Sequence, residues 1–227
     1  AMTRPGDKVL IQPPVYNHFY IAIANSGCTP EESNLVLDGN RYRIDFEDLE
    51  RRAADPAVKL MLLCNPHNPA GRVWTPDELR RIGEICLRHD LFIIADEIHC
   101  ELVMPGFRYT PFASLDERFR QHSVTCTSPS KAFNLAGLQV ANIFAADPDT
   151  RGRIVRALEI NANWSMNLFQ VSSSSHGIRR ISEKVRPLSA PCVKSLTSGA
   201  SAGFSYQSRF KSSSSASFMA KAMRSTG

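Results

Sequence analysis

Three short strand-like stretches constrain this chain more than any other feature, because each runs straight into a polar loop. Residues 59–64 read Lys-Leu-Met-Leu-Leu-Cys, 91–95 read Leu-Phe-Ile-Ile-Ala, and 123–127 read Ser-Val-Thr-Cys-Thr. The first two, continuous and without the alternation of a half-exposed strand, suit strands covered on both faces of a parallel sheet, and the third, apolar turning polar, is read as a strand beside them. Open α/β sheets place their ligands at the carboxyl ends of such strands. The three loops that follow would therefore meet on one edge of one sheet.

The remaining segments fit that scheme. Residues 8–12 read as a strand stopped by Pro13-Pro14, 16–24 as a helix ended near Ser26-Gly27, and 33–37 as a further strand before the turn Asp38-Gly39-Asn40. Asp45 is placed to cap a helix that runs to about Ala54. Thr75-Pro76-Asp77-Glu78 carries an N-cap, a proline in the first turn and a capping-box glutamate. Leu79, Ile82, Ile85 and Cys86 then repeat at helical spacing, and His89-Asp90 closes the helix. Strands are also expected at 123–127 and 139–145, with a helix after Asp147-Pro148. Alternating strands and helices predict an α/β fold, a mostly parallel sheet with helices on both faces.

The loops carry the chemistry. Ser128-Pro129-Ser130-Lys131 sets a lysine at a strand-to-loop edge, where its amine can reach a bound carbonyl compound and form an imine, as lysines that carry pyridoxal phosphate (PLP) do. Asp96-Glu97-Ile98-His99 puts a carboxylate at a buried strand end. There Asp96 can pair with a protonated pyridine nitrogen and His99 can bond a ring hydroxyl; the plainer alternatives are a helix-capping carboxylate and an ordinary surface histidine. Asn65-Pro66-His67-Asn68-Pro69-Ala70-Gly71 forbids regular structure, so Asn68 is offered from a stiff loop rather than a plain turn.

In this order, Asn-Pro-x-Gly, Asp-x-x-His and Ser-x-Ser-Lys resemble the class I/II aminotransferase family of fold-type I PLP enzymes. The finer wording at 13–20, 64–74, 96–102 and 130–139 is similar to its cystathionine β-lyase, or C–S lyase, branch, and the likeness runs from about residue 5 to residue 171. The resemblance implies the fold-type I large domain and a role for each motif residue. Lys131 would be the Schiff-base lysine, Asp96 the pyridinium partner, Asn68 and His99 the ring-hydroxyl contacts, and Tyr16 the ring-stacking aromatic. Ser128 and Ser130 would help hold the phosphate. It further implies an amino-acid substrate, cystathionine or a related cysteine S-conjugate, and a homodimer; a plain aminotransferase would use the same residues. One departure stands at Gln139, where many aminotransferases carry an arginine two residues after the motif glycine, Gly137. That tilts the expectation toward the lyase.

Composition sets the limits. No apolar run approaches the 18 or more residues of a membrane-spanning helix, and six scattered cysteines without a Cys-x-x-Cys pair read as reduced thiols of a cytoplasmic protein, not as a zinc site. The net charge of +5 belongs to the tail: residues 172–227 hold nine of the 27 Lys and Arg but one of the 22 acidic residues. The first 171 residues are therefore slightly acidic, which argues against nucleic-acid or membrane partners. Two parts are expected: a PLP-binding large domain over 1–171, and a basic, serine-rich tail over 172–227 that is disordered or out of frame. The family's N-terminal arm, phosphate segment and C-terminal small domain have no counterpart, so the domain is expected to be incomplete at both ends and the chain, as it stands, inactive.

Overall fold

The computed structural model describes residues 1–161 and the strand at 169–172. The order of elements is Lys8–Ile11 (β1), His18–Asn25 (α1), Thr29–Glu32 (β2), Val36–Asp38 (β3), Arg41–Arg43 (β4), Phe46–Ala53 (α2) and Val58–Cys64 (β5). Pro76–Arg88 (α3), Phe92–Asp96 (β6), Glu117–Gln121 (α4), Ser123–Thr127 (β7), Ala141–Ala145 (β8), Pro148–Asn161 (α5) and Phe169–Ser172 (β9) follow. Among the described residues, seven strands form one sheet in the order β2-β1-β5-β6-β7-β8-β9. Every pairing is parallel except β7 with β8. The expected mostly parallel α/β sheet is thus present.

Alternate side chains of the central strands face opposite ways, which creates two cores. Leu60, Leu62, Ile94 and Val124 pack against Phe19, Ala22 and Ile23 of α1 and Ile154 of α5. Met61, Leu63, Ile93 and Ala95 pack against Leu49 of α2, the α3 residues Leu79, Ile82, Ile85 and Cys86, and Phe119 of α4. Both faces are covered, which is why these strands are apolar without a break. Helix α3 begins on the capping box read from the sequence: Glu78 N–H donates to Thr75 Oγ1 at 3.2 Å and Thr75 N–H to Glu78 Oε2 at 2.8 Å. Asp45 caps α2 by accepting from Glu47 and Asp48 N–H.

The departures lie where the sequence is polar. The strand expected at 33–37 is instead two pieces. Thr29–Glu32 joins β1 as the edge of the sheet, and Val36–Asp38 leaves it to pair with Arg41–Arg43 through a turn in which Gly39 takes a φ of +61°. Thr-Pro-Glu-Glu carries no apolar pattern; it is held by its hydrogen bonds to β1 and by ion pairs from Glu31 to Lys8 (2.9 Å) and Arg52 (2.6 Å). Strand β8 starts at Ala141 and not at 139, because Gln139 adopts a left-handed φ of +51°. Ser172, counted with the tail by its composition, is the last residue of β9. The rest of the tail lies outside the described residues.

Candidate active site

The strand register brings the three loops together. Cys64 at the end of β5 stands beside Asp96 at the end of β6, and Asp96 stands beside Cys126 in β7. All three strands run the same way, so the loops bearing Asn68, His99 and Lys131 leave from one edge, as the sequence predicted. Trp74, fully buried, secures the first of them by donating its indole N–H to Cys64 O at 2.9 Å. The N–H of Asn68 donates to Cys64 Sγ at 3.4 Å, so Asn68 is held over the strand it follows.

Asp96 is buried, and its Oδ1 accepts from Ile98 N–H at 3.2 Å. A turn follows it rather than a helix, so the capping alternative falls away. Burial pushes its carboxyl up to about 6, while the Ile98 N–H and the Lys131 charge pull the other way. His99 is half-buried; burial first, then the Lys131 charge, lowers its pKa, and its Nδ1 is enclosed without a hydrogen-bond partner. The Lys131 side chain is exposed, and its charge acts on both groups.

Ser128 and Ser130 fasten the lysine loop. Ser128 Oγ donates to Val140 O at 2.6 Å, accepts from Ser130 N–H at 3.1 Å and lies 2.9 Å from Ser130 Oγ. Tyr16 is half-buried next to the Asn68 loop, because its neighbour Val15 bridges Pro69. Its ring stacks on His18, with centroids 4.7 Å apart. A cavity of about 270 Å³ opens between the loops that follow β5 and β6, lined by Asn68, Arg72, His99, Met104 and Phe107 among others.

Several residues of the site went unassigned in the sequence. Glu97 is completely buried and accepts hydrogen bonds from Asn65, Tyr109 and Phe112. His67 is buried as well; its Nε2 donates to Gln12 O at 3.2 Å, and burial drops its pKa to about 4. Arg72, also buried, pairs with Glu78 at 2.7 Å, donates to Tyr42 O and covers the Trp74 ring at 4.5 Å. All three stand inside or beside the recognised motifs, and a charged residue in an otherwise buried stretch was the available signal. Among the described residues there is no cluster of His, Cys, Asp and Glu fit for a metal, no helix long and apolar enough to cross a membrane, and the cysteines at 28, 64, 86, 100 and 126 are free.

Cystathionine beta-lyase PatB of Bacillus subtilis is 44% identical over 173 residues, covering 76% of this chain and 45% of that protein. Protein MalY of Escherichia coli is 34% identical over 154 residues, 68% of this chain and 39% of its own. Among solved structures, cystalysin from Treponema denticola, which contains a pyridoxal 5'-phosphate cofactor, matches with a TM-score of 0.64 at 45% identity, over 65% of this chain and 38% of that one. The PLP-bound C–S lyase from Staphylococcus hominis matches with a TM-score of 0.58 at 37% identity, over 60% and 35%. This chain spans less than half the length of each of these relatives. Residues 1–183 match the family model, and the chain belongs to the aminotransferase class I and II family.

Proposed function

We propose that the protein is a PLP-dependent carbon–sulfur β-lyase that cleaves L-cystathionine or a related cysteine S-conjugate to a thiol, pyruvate and ammonia. The observation that carries this reading is the register of Cys64, Asp96 and Cys126, which gathers Asn68, His99 and Lys131 at one sheet edge. The names of the lyase relatives, and Gln139 in place of an arginine, favour elimination over amino transfer.

The residues fit the cofactor. Asp96, whose carboxyl is raised by burial, suits a protonated ring nitrogen, and the unpartnered His99 Nδ1 suits a ring hydroxyl shared with the Asn68 amide. Tyr16 would stack on the ring, and Ser128 and Ser130 would help hold the phosphate. When bound, PLP supplies the electron sink for the carbanion.

The chain supplies the proton handling and the orientation. Lys131 would hold the cofactor through its amine and, once released, would take the proton from the substrate Cα. Asp96 would keep the ring nitrogen protonated. Removal of the Cα proton then drives the thiolate from Cβ. A homodimer in the cytoplasm belongs to the same reading.

The expectation of inactivity concerns residues 1–227 alone, so the test incubates the complete PLP-reconstituted enzyme with L-cystathionine and no added keto acid. Thiol and pyruvate should appear, with a visible absorbance band that borohydride abolishes as it fixes the cofactor onto Lys131. Turnover only on addition of a keto acid would make it an aminotransferase. No such band, or reduction onto another lysine, would refute the site.

A further inference from the structure

Glu97 follows Asp96 directly, but its side chain turns inward. Its Oε1 accepts from Phe112 N–H at 2.8 Å and from Asn65 Nδ2 at 3.2 Å, and its Oε2 accepts from the Tyr109 hydroxyl. Asn65 Nδ2 also donates to Thr110 O at 3.0 Å, and the N–H of Glu97 donates to Cys126 O at 2.8 Å. One residue is thus tied to the loop after β5, to the end of β7 and to the chain returning at 109–112. Residues 98–111, which carry His99, leave from Glu97 and come back to it.

All three groups meeting the carboxylate are donors. This suits an ionised acceptor, although burial raises its pKa to about 7. Removing it would leave Asn65 Nδ2, Phe112 N–H and the Tyr109 hydroxyl short of a partner in one enclosed space, at a junction that both motif loops share.

We propose that Glu97 is a positioning residue of the cofactor site: its carboxylate clamps both ends of the 98–111 segment together and onto Asn65, and so sets where His99 and Asn68 stand relative to Asp96. The role rests on the reading of the site given above. Glutamine can preserve the clamp, since its carbonyl accepts from Asn65 and Phe112 while its amide donates to the Tyr109 oxygen. Alanine cannot.

The experiment uses the full-length chain with Glu97→Ala, Glu97→Gln and Tyr109→Phe, read by amide hydrogen exchange without cofactor and by PLP titration. Glu97→Ala should speed exchange in both 66–72 and 98–111 by about tenfold or more, and weaken PLP binding by about tenfold. Glu97→Gln should stay within about threefold of the parent in both. Should the alanine variant not fold, Tyr109→Phe carries the test, with faster exchange in both segments and PLP binding weakened by about threefold. Alanine or phenylalanine variants that bind PLP as the parent does overturn the positioning role alone. A parent chain that binds no PLP overturns the reading of the site and this role together.

Discussion

Asn65 donates its backbone N–H to the carbonyl of Asp96 at 2.9 Å, so the loop after β5 begins pinned to the residue that ends β6. The bond uses the Asp96 main chain and not its carboxylate, whose Oδ1 accepts from Ile98 N–H. Changing the side chain should therefore spare the loop.

Asp96→Asn should for that reason retain PLP while losing turnover. A charge pair at 4 Å in an effective dielectric of roughly 20 is worth about 4 kcal/mol, or roughly a thousandfold in rate if it falls on the barrier. Steady-state kinetics on the reconstituted enzyme checks this; a loss below about threefold would make Asp96 a structural carboxylate.

The same variant should change the pH dependence of stability without cofactor. The folded-state pKa of Asp96 is raised from 3.8 to about 6, so the native chain holds its proton more tightly than the unfolded chain. Its contribution is then fully present below 3.8 and lost as pH rises through about 6, by at most about 3 kcal/mol. Denaturant melts of parent and Asp96→Asn should diverge across that window, the variant gaining on the parent as pH rises. Parallel curves would show that Asp96 is not proton-linked to folding.

His67 should act from the other side. Burial first, and Arg72 second, lower its pKa from 6.5 to about 4, so the native chain resists protonating it. Stability linked to His67 is present above 6.5 and is lost as pH falls toward 4, again by at most about 3 kcal/mol. His67→Asn should flatten the acid limb of the stability curve relative to the parent. An unchanged limb would place the acid sensitivity elsewhere.

These features differ in how far they could be read without a structure. The buried strands and the three motif loops were legible because burial on both faces writes a continuous apolar run, and Pro, Gly and Asn write a stiff loop. Helix α3 was legible through Thr75, Pro76 and Glu78. Strand β2 was not, because its pairing is fixed by main-chain bonds and by ion pairs from residues 21 and 23 positions away, which no local pattern records. Glu97 was hidden for a similar reason: its partners at 65, 109 and 112 meet it only in the fold.

Gly83 marks the closest approach of α3 to its neighbour. A Cβ there would stand 2.6 to 2.8 Å from three ring atoms of Phe119, and Phe119 is fully buried and stacked on Phe112 at 5.3 Å. Gly83→Ala gains about 1 kcal/mol of helix propensity but forces apart a packed contact at about 1–3 kcal/mol or more. A lower melting temperature is expected, and an equal or higher one would mean that the Phe119 ring can move aside.

Strand β2 also decides what the sheet can accept from outside. Thr29 and Ser33 give their N–H groups inward, to Asp7 and Ile11, so the alternate positions, Pro30 and Glu32, face away from β1. Proline has no N–H to offer, and Glu32, a half-buried acidic residue whose carboxylate meets the Tyr20 hydroxyl, follows two positions on. A stray strand arriving there finds half a ladder and a negative charge, so aggregation by strand addition is blocked at this border by two residues that contribute nothing to the core.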